Sequence, residues 1–95
     1  MKIPNKIKIA GIEYKIIKDS KMALDEGLAG SHTTHLCQIR VQKNGYNSQK
    51  TEQTFFHEVI HAISDHYINS ELSERQVDNM ATGLYAFLKD NKLIK

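Results

Sequence analysis

The stretch TFFHEVIHAIS, residues 54–64, sets His57 and His61 four residues apart, with Glu58 directly after the first. On a helix this spacing puts the two imidazoles one turn apart on the same face. They can then converge on one tetrahedral ion, with Zn–N bonds of about 2.0–2.1 Å. Glu58, one position further on, can reach a water activated by that ion and take its proton without ligating the ion. That division of roles is the mechanical reason for the pattern H-E-x-x-H. Phe55, Phe56, Val59, Ile60 and Ile63 flank the three residues and supply the apolar helix a buried metal site needs.

Two protein ligands leave a catalytic zinc site incomplete, because the usual set is three plus a water. The candidates for a third are His66, Glu74, Asp78, His32 and His35. His66 comes five residues after His61, so a continuing helix turns it away from the His57/His61 face. It is expected to be a solvated histidine at the helix end. Glu74 and Asp78 are four apart and share a face of a second helix. Glu74 is the expected ligand, with Asp78 behind it accepting the outward N–H of a ligand histidine. The reverse assignment, with Asp78 as the ligand, stays open. His32 and His35 are expected to be exposed loop histidines, with a second metal or a role facing the substrate as alternatives. Tyr85 is expected at the edge of the core, with donation to a tetrahedral intermediate as its alternative.

Elements must position these side chains. Residues 6–18, KIKIAGIEYKIIK, alternate apolar and polar on either side of Ala10-Gly11, which predicts a β-hairpin or bent strand pair. Met22–Leu28 has the composition of a helical turn, and Ser31–His35 that of a loop. Residues 36–42, LCQIRVQ, predict a strand with Cys37, Ile39 and Val41 on one side and Cys37 as a small buried hydrophobe. Asn44–Ser48 is turn material. Helical periodicity then runs from Ser48 or Gln49 to about Tyr67, broken at Asn69-Ser70. Ser73 with Gln76 forms a capping-box pattern for a second helix. Val77, Met80, Ala81, Leu84, Phe87 and Leu88 give that helix its apolar stripe, and it ends near Asp90-Asn91. Strands first and helices second predict an α+β class: a small antiparallel or mixed sheet packed on the HExxH helix and a second C-terminal helix.

Composition sets the outer limits. Ninety-five residues make one small domain, 1–95, in which a bound metal would add to a thin stability margin. The formal charge is +2, and the lysines near the N-terminus are spaced, which suits a solvated hairpin face better than a nucleic-acid surface. A lone cysteine allows no intrachain disulfide and fits a reducing compartment. No signal-peptide run or membrane span is visible, so the expectation is a cytoplasmic protein with no membrane partner.

His57-Glu58-Val59-Ile60-His61, followed by Glu74 and Asp78, resembles a gluzincin, a zinc metallopeptidase with HExxH and a downstream glutamate ligand. The strand, turn, HExxH helix and second helix resemble a minimal zincin fold over roughly residues 36–91. The layout is most similar to short metallopeptidase-like proteins of phages and mobile elements and to ImmA/IrrE-type peptidases. The resemblance implies Zn2+ on His57, His61 and Glu74, with Glu58 as general base and then proton donor to the leaving amine. It places Asp78 behind the ligands and makes the 36–42 strand the sheet edge along which a peptide or protein substrate lies. The His61–Glu74 spacing is short for the larger gluzincins, and that keeps Glu74 and Asp78 as rival third ligands. The expectation is therefore a cytoplasmic zinc metallopeptidase. Its first rival is a non-catalytic zinc-binding interaction module of a phage or mobile element. Its second is a metal-free nucleic-acid-binding or interaction domain using the lysine-rich hairpin.

Overall fold

The structure is a computed structural model that describes residues 1–20, 29–42, 48–69 and 71–95. The helical turn expected at Met22–Leu28, and all of the 44–48 turn but Ser48, lie outside the described residues.

The chain is α+β, as its patterning requires. β1 (Lys6–Ile9) and β2 (Ile12–Asp19) form the expected hairpin, in register Ile7 with Tyr14 and Ile9 with Ile12. Ala10 and Gly11 both take positive φ, 55° and 76°, the conformation that closes a two-residue hairpin with the right twist. Antiparallel partners share a sheet face, so Ile7 and Ile9 of β1 point the same way as Tyr14 and Ile16 of β2. Ile9, Tyr14 and Ile16 are buried there, while the side chains of Lys6, Lys8, Lys15 and Lys18 remain in solvent.

β3 (Gly30–Thr33) and β4 (Gln38–Gln42) complete a mixed sheet in the order β1-β2-β4-β3. β4 runs parallel to β2 and antiparallel to β3. This corrects two expectations. Ser31–His35 is not all loop, because Gly30–Thr33 is a strand. The 36–42 segment is not a sheet edge either, because β4 lies between β2 and β3. Its strand begins only at Gln38, after a 3-10 turn at Thr34–Leu36 and a left-handed Cys37 (φ 52°) whose carbonyl accepts the Lys15 N–H at 2.9 Å. Cys37 is half-buried against the core, close to its expected role.

α1 (Ser48–Tyr67) carries the HExxH residues and packs on the sheet through Phe55 and Ala62, with Val59 and Ile63 alongside. α2 (Glu74–Asp90) starts with the expected capping box: the Gln76 N–H donates to Ser73 Oγ, and the Ser73 N–H donates to the Gln76 side chain. Asn69, at φ 53°, reverses the chain between the two helices, a conformation asparagine tolerates better than most residues. α2 docks on α1 through Val77 and Ala81 against Ile60, with Phe56 and Leu72 beside them. Only half of its predicted stripe is inside. Met80, Leu84 and Phe87 are exposed, and Tyr85 is buried in their place. No described helix is long and apolar enough to cross a membrane.

Candidate metal centre

Three sets of side chains leave α1 in three directions. Its apolar row enters the sheet core, and Phe56 and Ile60 meet α2. A polar row of Thr54, Glu58, His61 and Asp65 runs beneath β3. His57 and His61 stand on the side where the first turn of α2 arrives.

There the predicted ligands meet. His57 Nε2 and His61 Nε2 are 3.1 Å apart. Glu74 spans both, with Oε1 2.6 Å from His57 Nε2 and Oε2 2.8 Å from His61 Nε2. Asp78 Oδ1 lies 3.3 Å from the other nitrogen of His57, Nδ1. A proton on Nδ1 donated to Asp78 leaves Nε2 with its lone pair directed at Glu74 and His61, the tautomer an ion requires. Both carboxylates are largely exposed, and the two imidazoles are half-buried.

The donor set fits a tetrahedral divalent ion. A centre with bonds of about 2.0–2.1 Å holds its ligand atoms about 3.3–3.4 Å apart. The two imidazole nitrogens, 3.1 Å apart, are close to that spacing, while the two Glu74 oxygens stand at hydrogen-bond distance, one on each ring, and would draw back slightly around an ion. Two imidazole lone pairs and a carboxylate facing one another repel unless a cation or proton sits among them. Among the described residues, His57, His61 and Glu74 are the group whose ligand atoms all fall within 4.8 Å of one another. Asp78 reaches the far side of His57, and His66, His32 and His35 are outside this group.

Glu58 is buried, 6% exposed, and forms part of the wall of a cleft of about 260 Å³. The same cleft is lined by His57, Glu74, Asp78, Thr54 and Gly30. β3 presses closely on the carboxylate: a Cβ on Gly30 would come within 3.1 Å of Glu58 Cγ and 2.5 Å of the Thr54 methyl. A side chain at position 30 would therefore enter the space Glu58 occupies.

Two histidines differ from expectation. His66 is half-buried and not simply a solvated helix-end histidine, because its Nε2 lies 2.6 Å from the hydroxyl of fully buried Tyr14. β2 supplies that partner from across the sheet. His32 is not an exposed loop residue. Its Nδ1 donates to Glu58 Oε1 at 3.0 Å, and its Nε2 is 3.5 Å from Asp65 Oδ2. Its ring stacks on His61, with centroids 4.7 Å apart and planes within 14°. The hydrogen bond to Glu58 holds the His32 imidazole above its ordinary value. Burial opposes this, and the nearby charges of Glu58, Asp65 and Glu74 reinforce it. One sequence signal pointed to His32: in Gly30-Ser31-His32, alternation sends Gly30 and His32 to the same side of a strand.

Tyr85 is in the core, as expected. Its hydroxyl donates to buried Glu52 at 3.2 Å. Burial, then the bond to Glu52 and its charge, raise the phenol above its ordinary 10.0. It is therefore accounted for by Glu52 and not by the cleft.

Protein-family models, curated proteins and solved structures were all compared with the chain, and none matches it, so its function has to be argued from this centre.

Proposed function

We propose that the chain is a zinc-dependent metallopeptidase on a minimal zincin-like fold, with His57, His61 and Glu74 as ligands and Glu58 as general base. One observation carries the reading. Three side chains with the chemistry of a zinc site, drawn from two helices, converge within bonding range of one point, and the cleft beside them also contains a buried glutamate. Bound there, zinc would supply Lewis acidity, polarising a scissile carbonyl and lowering the pKa of water toward about 7. Glu58 takes the proton from the attacking water and returns it to the leaving amine. Asp78 fixes the His57 ring through Nδ1 and so keeps Nε2 turned inward. Placement near the N-terminus of α2 sets Glu74 where a carboxylate is favoured by the helix dipole.

The peptide is proposed to lie along β3, the sheet edge beside the metal centre, and not along β4. The Gln42 N–H donates to the Ala29 carbonyl at 2.8 Å. Ladder alternation then makes Ser31–Arg40 and Thr33–Gln38 the hydrogen-bonded pairs. The backbone N–H and C=O groups of Gly30 and His32 therefore point away from β4, where an extended peptide could pair with them.

A second reading, a zinc-binding module without hydrolysis, is favoured by one feature: Glu58 is buried and its Oε1 is already engaged by His32. Phage or mobile-element origin and a cytoplasmic site of action belong to the resemblance, and we keep them as proposals.

Elemental analysis of untagged wild type, Glu74→Ala and Asp78→Ala tests the centre. The expected result is about one zinc per wild-type chain, abolished in Glu74→Ala and retained at reduced affinity in Asp78→Ala. Zinc lost only with Asp78 would exchange the roles of the two carboxylates. A protein that takes up no zinc even on addition would end the metal reading.

A further inference from the structure

The metal centre as described leaves His32 without a role, although it makes three contacts inside the centre. β3 crosses α1 so that Gly30 and His32 follow the helix row Thr54, Glu58, His61, Asp65. Gly30 has no side chain and allows the strand to approach. His32 uses that closeness, with one ring nitrogen on Glu58 at 3.0 Å, the other facing Asp65 at 3.5 Å, and its ring face on His61. Both edges and one face of the imidazole are therefore fixed by α1.

A glutamate side chain has three rotatable bonds, and burial alone does not choose where its carboxylate points. A general base must sit within about 2.6–3.2 Å of the proton it takes, and misplacement by about 1 Å can lower a rate about a hundredfold. Something has to fix Glu58, and His32 holds one of its two oxygens while leaving Oε2 for other partners. His32 is also one of the two β3 residues whose backbone groups point away from β4.

We infer that His32 is a positioning residue: its Nδ1–H sets the carboxylate of Glu58, while its own backbone lies on the strand edge that receives the peptide. The inference rests on the metallopeptidase reading and extends it. A peptide pairing with the backbone of residue 32 is thereby placed in register with the base, because one residue contacts both. Asp65 contributes by orienting the ring through Nε2.

The test uses zinc-loaded protein and three substitutions. Asparagine places its amide nitrogen near the position of Nδ1, and glutamine places its own near Nε2. His32→Ala is expected to lower kcat about 10- to 100-fold, with KM and zinc content within about twofold of wild type. His32→Asn should recover much of the lost kcat, and His32→Gln should not. A readout independent of turnover is the ring N–H proton resonance of His32. It should be protected from exchange in wild type and lost in Glu58→Ala. An unchanged kcat in His32→Ala would overturn the inference, as would equal recovery by Asn and Gln or a ring signal indifferent to Glu58→Ala. Wild-type protein that binds no zinc, or binds it and cleaves no peptide, overturns the metallopeptidase reading and the catalytic meaning of His32 together. The ring signal needs neither zinc nor turnover, so it distinguishes that failure from the absence of the His32–Glu58 bond.

Discussion

Gly30→Ala adds one methyl group where the structure has no room for it. The new carbon would sit 2.5 Å from Thr54 Cγ2, 3.1 Å from Glu58 Cγ and 3.2 Å from Glu58 Oε2. Carbon pairs are comfortable at about 3.5–4.0 Å, so the first contact is short by about 1 Å. Thr54 is β-branched and helical, so it has only two favoured χ1 settings, and swinging its methyl away exchanges it with the hydroxyl at a cost. Otherwise β3 must lift from α1. Overpacking of this kind destabilises by about 1–3 kcal/mol. The glycine has no positive φ, so alanine adopts its backbone without strain and returns about 0.4–1 kcal/mol through the unfolded chain. The midpoints of the two ranges leave a net loss of about 1.3 kcal/mol, with the melting temperature lower by about 4–8 °C per kcal/mol for a domain of this size. Lifting β3 also draws His32 away from Glu58, so hydrolysis should fall by more than stability alone explains. Thermal unfolding followed by circular dichroism, with peptide cleavage alongside, measures both effects. Thr54→Ser removes the offending methyl and keeps the hydroxyl, so the double variant Gly30→Ala/Thr54→Ser should recover most of the loss. A Gly30→Ala protein as stable as wild type, or a double variant no better than the single, would refute the close approach of β3 to the HExxH helix.

Glu58→Gln should keep its zinc and lose cleavage. If zinc is lost as well, Glu58 is a ligand and the proposed roles are wrong, whereas full cleavage would leave only a structural part for this carboxylate. Chelation should lower the melting temperature, because an ion held at a hundred times its dissociation constant adds about 2.7 kcal/mol to the folded state. His57→Ala should be indifferent to chelator, and a wild type equally indifferent would speak against a bound metal. Tyr85 sets an alkaline limit. Its folded-state pKa lies above 10.0, so its contribution is complete below that pH, where both states keep the proton. Above it the unfolded chain ionises first, and stability falls as pH rises through the folded value. Denaturant unfolding between pH 8 and 11 should show that fall in wild type and less of it in Tyr85→Phe, and parallel curves would remove Tyr85 as the cause.

The parts of the fold that follow local periodicity were legible. The hairpin turn follows from Ala10-Gly11 between alternating runs, and both helices follow from their apolar spacing and, for α2, from Ser73 and Gln76. The shared face of His57 and His61 was legible from i, i+4 geometry, and the short connection brings the start of α2 to them. The sequence left Glu74 and Asp78 as rivals for the third position, and it is Glu74 that spans both rings. What sequence could not supply was set by distant partners. Gly30–Thr33 has no apolar alternation, so its strand is stabilised by the ladder to β4 and by contacts with α1. Strand order is not written in chain order, and so β4 was placed at the edge when β2 takes its other side. His66 received its partner from Tyr14, 52 residues away. The stripe of α2 covers more than one face, and local pattern does not decide which part turns inward. The structure turns Val77, Ala81 and Tyr85 inward and brings Glu74 and Asp78 over the histidines.

His61 shows why the second-helix carboxylate and the edge-strand histidine belong to one arrangement. Its position on α1 is intermediate between the row under β3 and the side facing α2. One part of the ring meets Glu74 at 2.8 Å, and one face carries His32. A residue on the β3 row alone could not reach α2, and one turned fully toward α2, as His57 is, would not stack under β3. Glu58 precedes His61 by three residues and lies on the β3 row, so the base comes under the strand while the ligands come under the helix. HExxH spacing therefore does more than place two imidazoles on one face. It divides neighbouring side chains between two structural partners, one that completes the proposed metal centre and one that holds the proposed base. In a 95-residue chain, one edge strand and one capped helix, both packed on α1, are sufficient to build both halves of the proposed site.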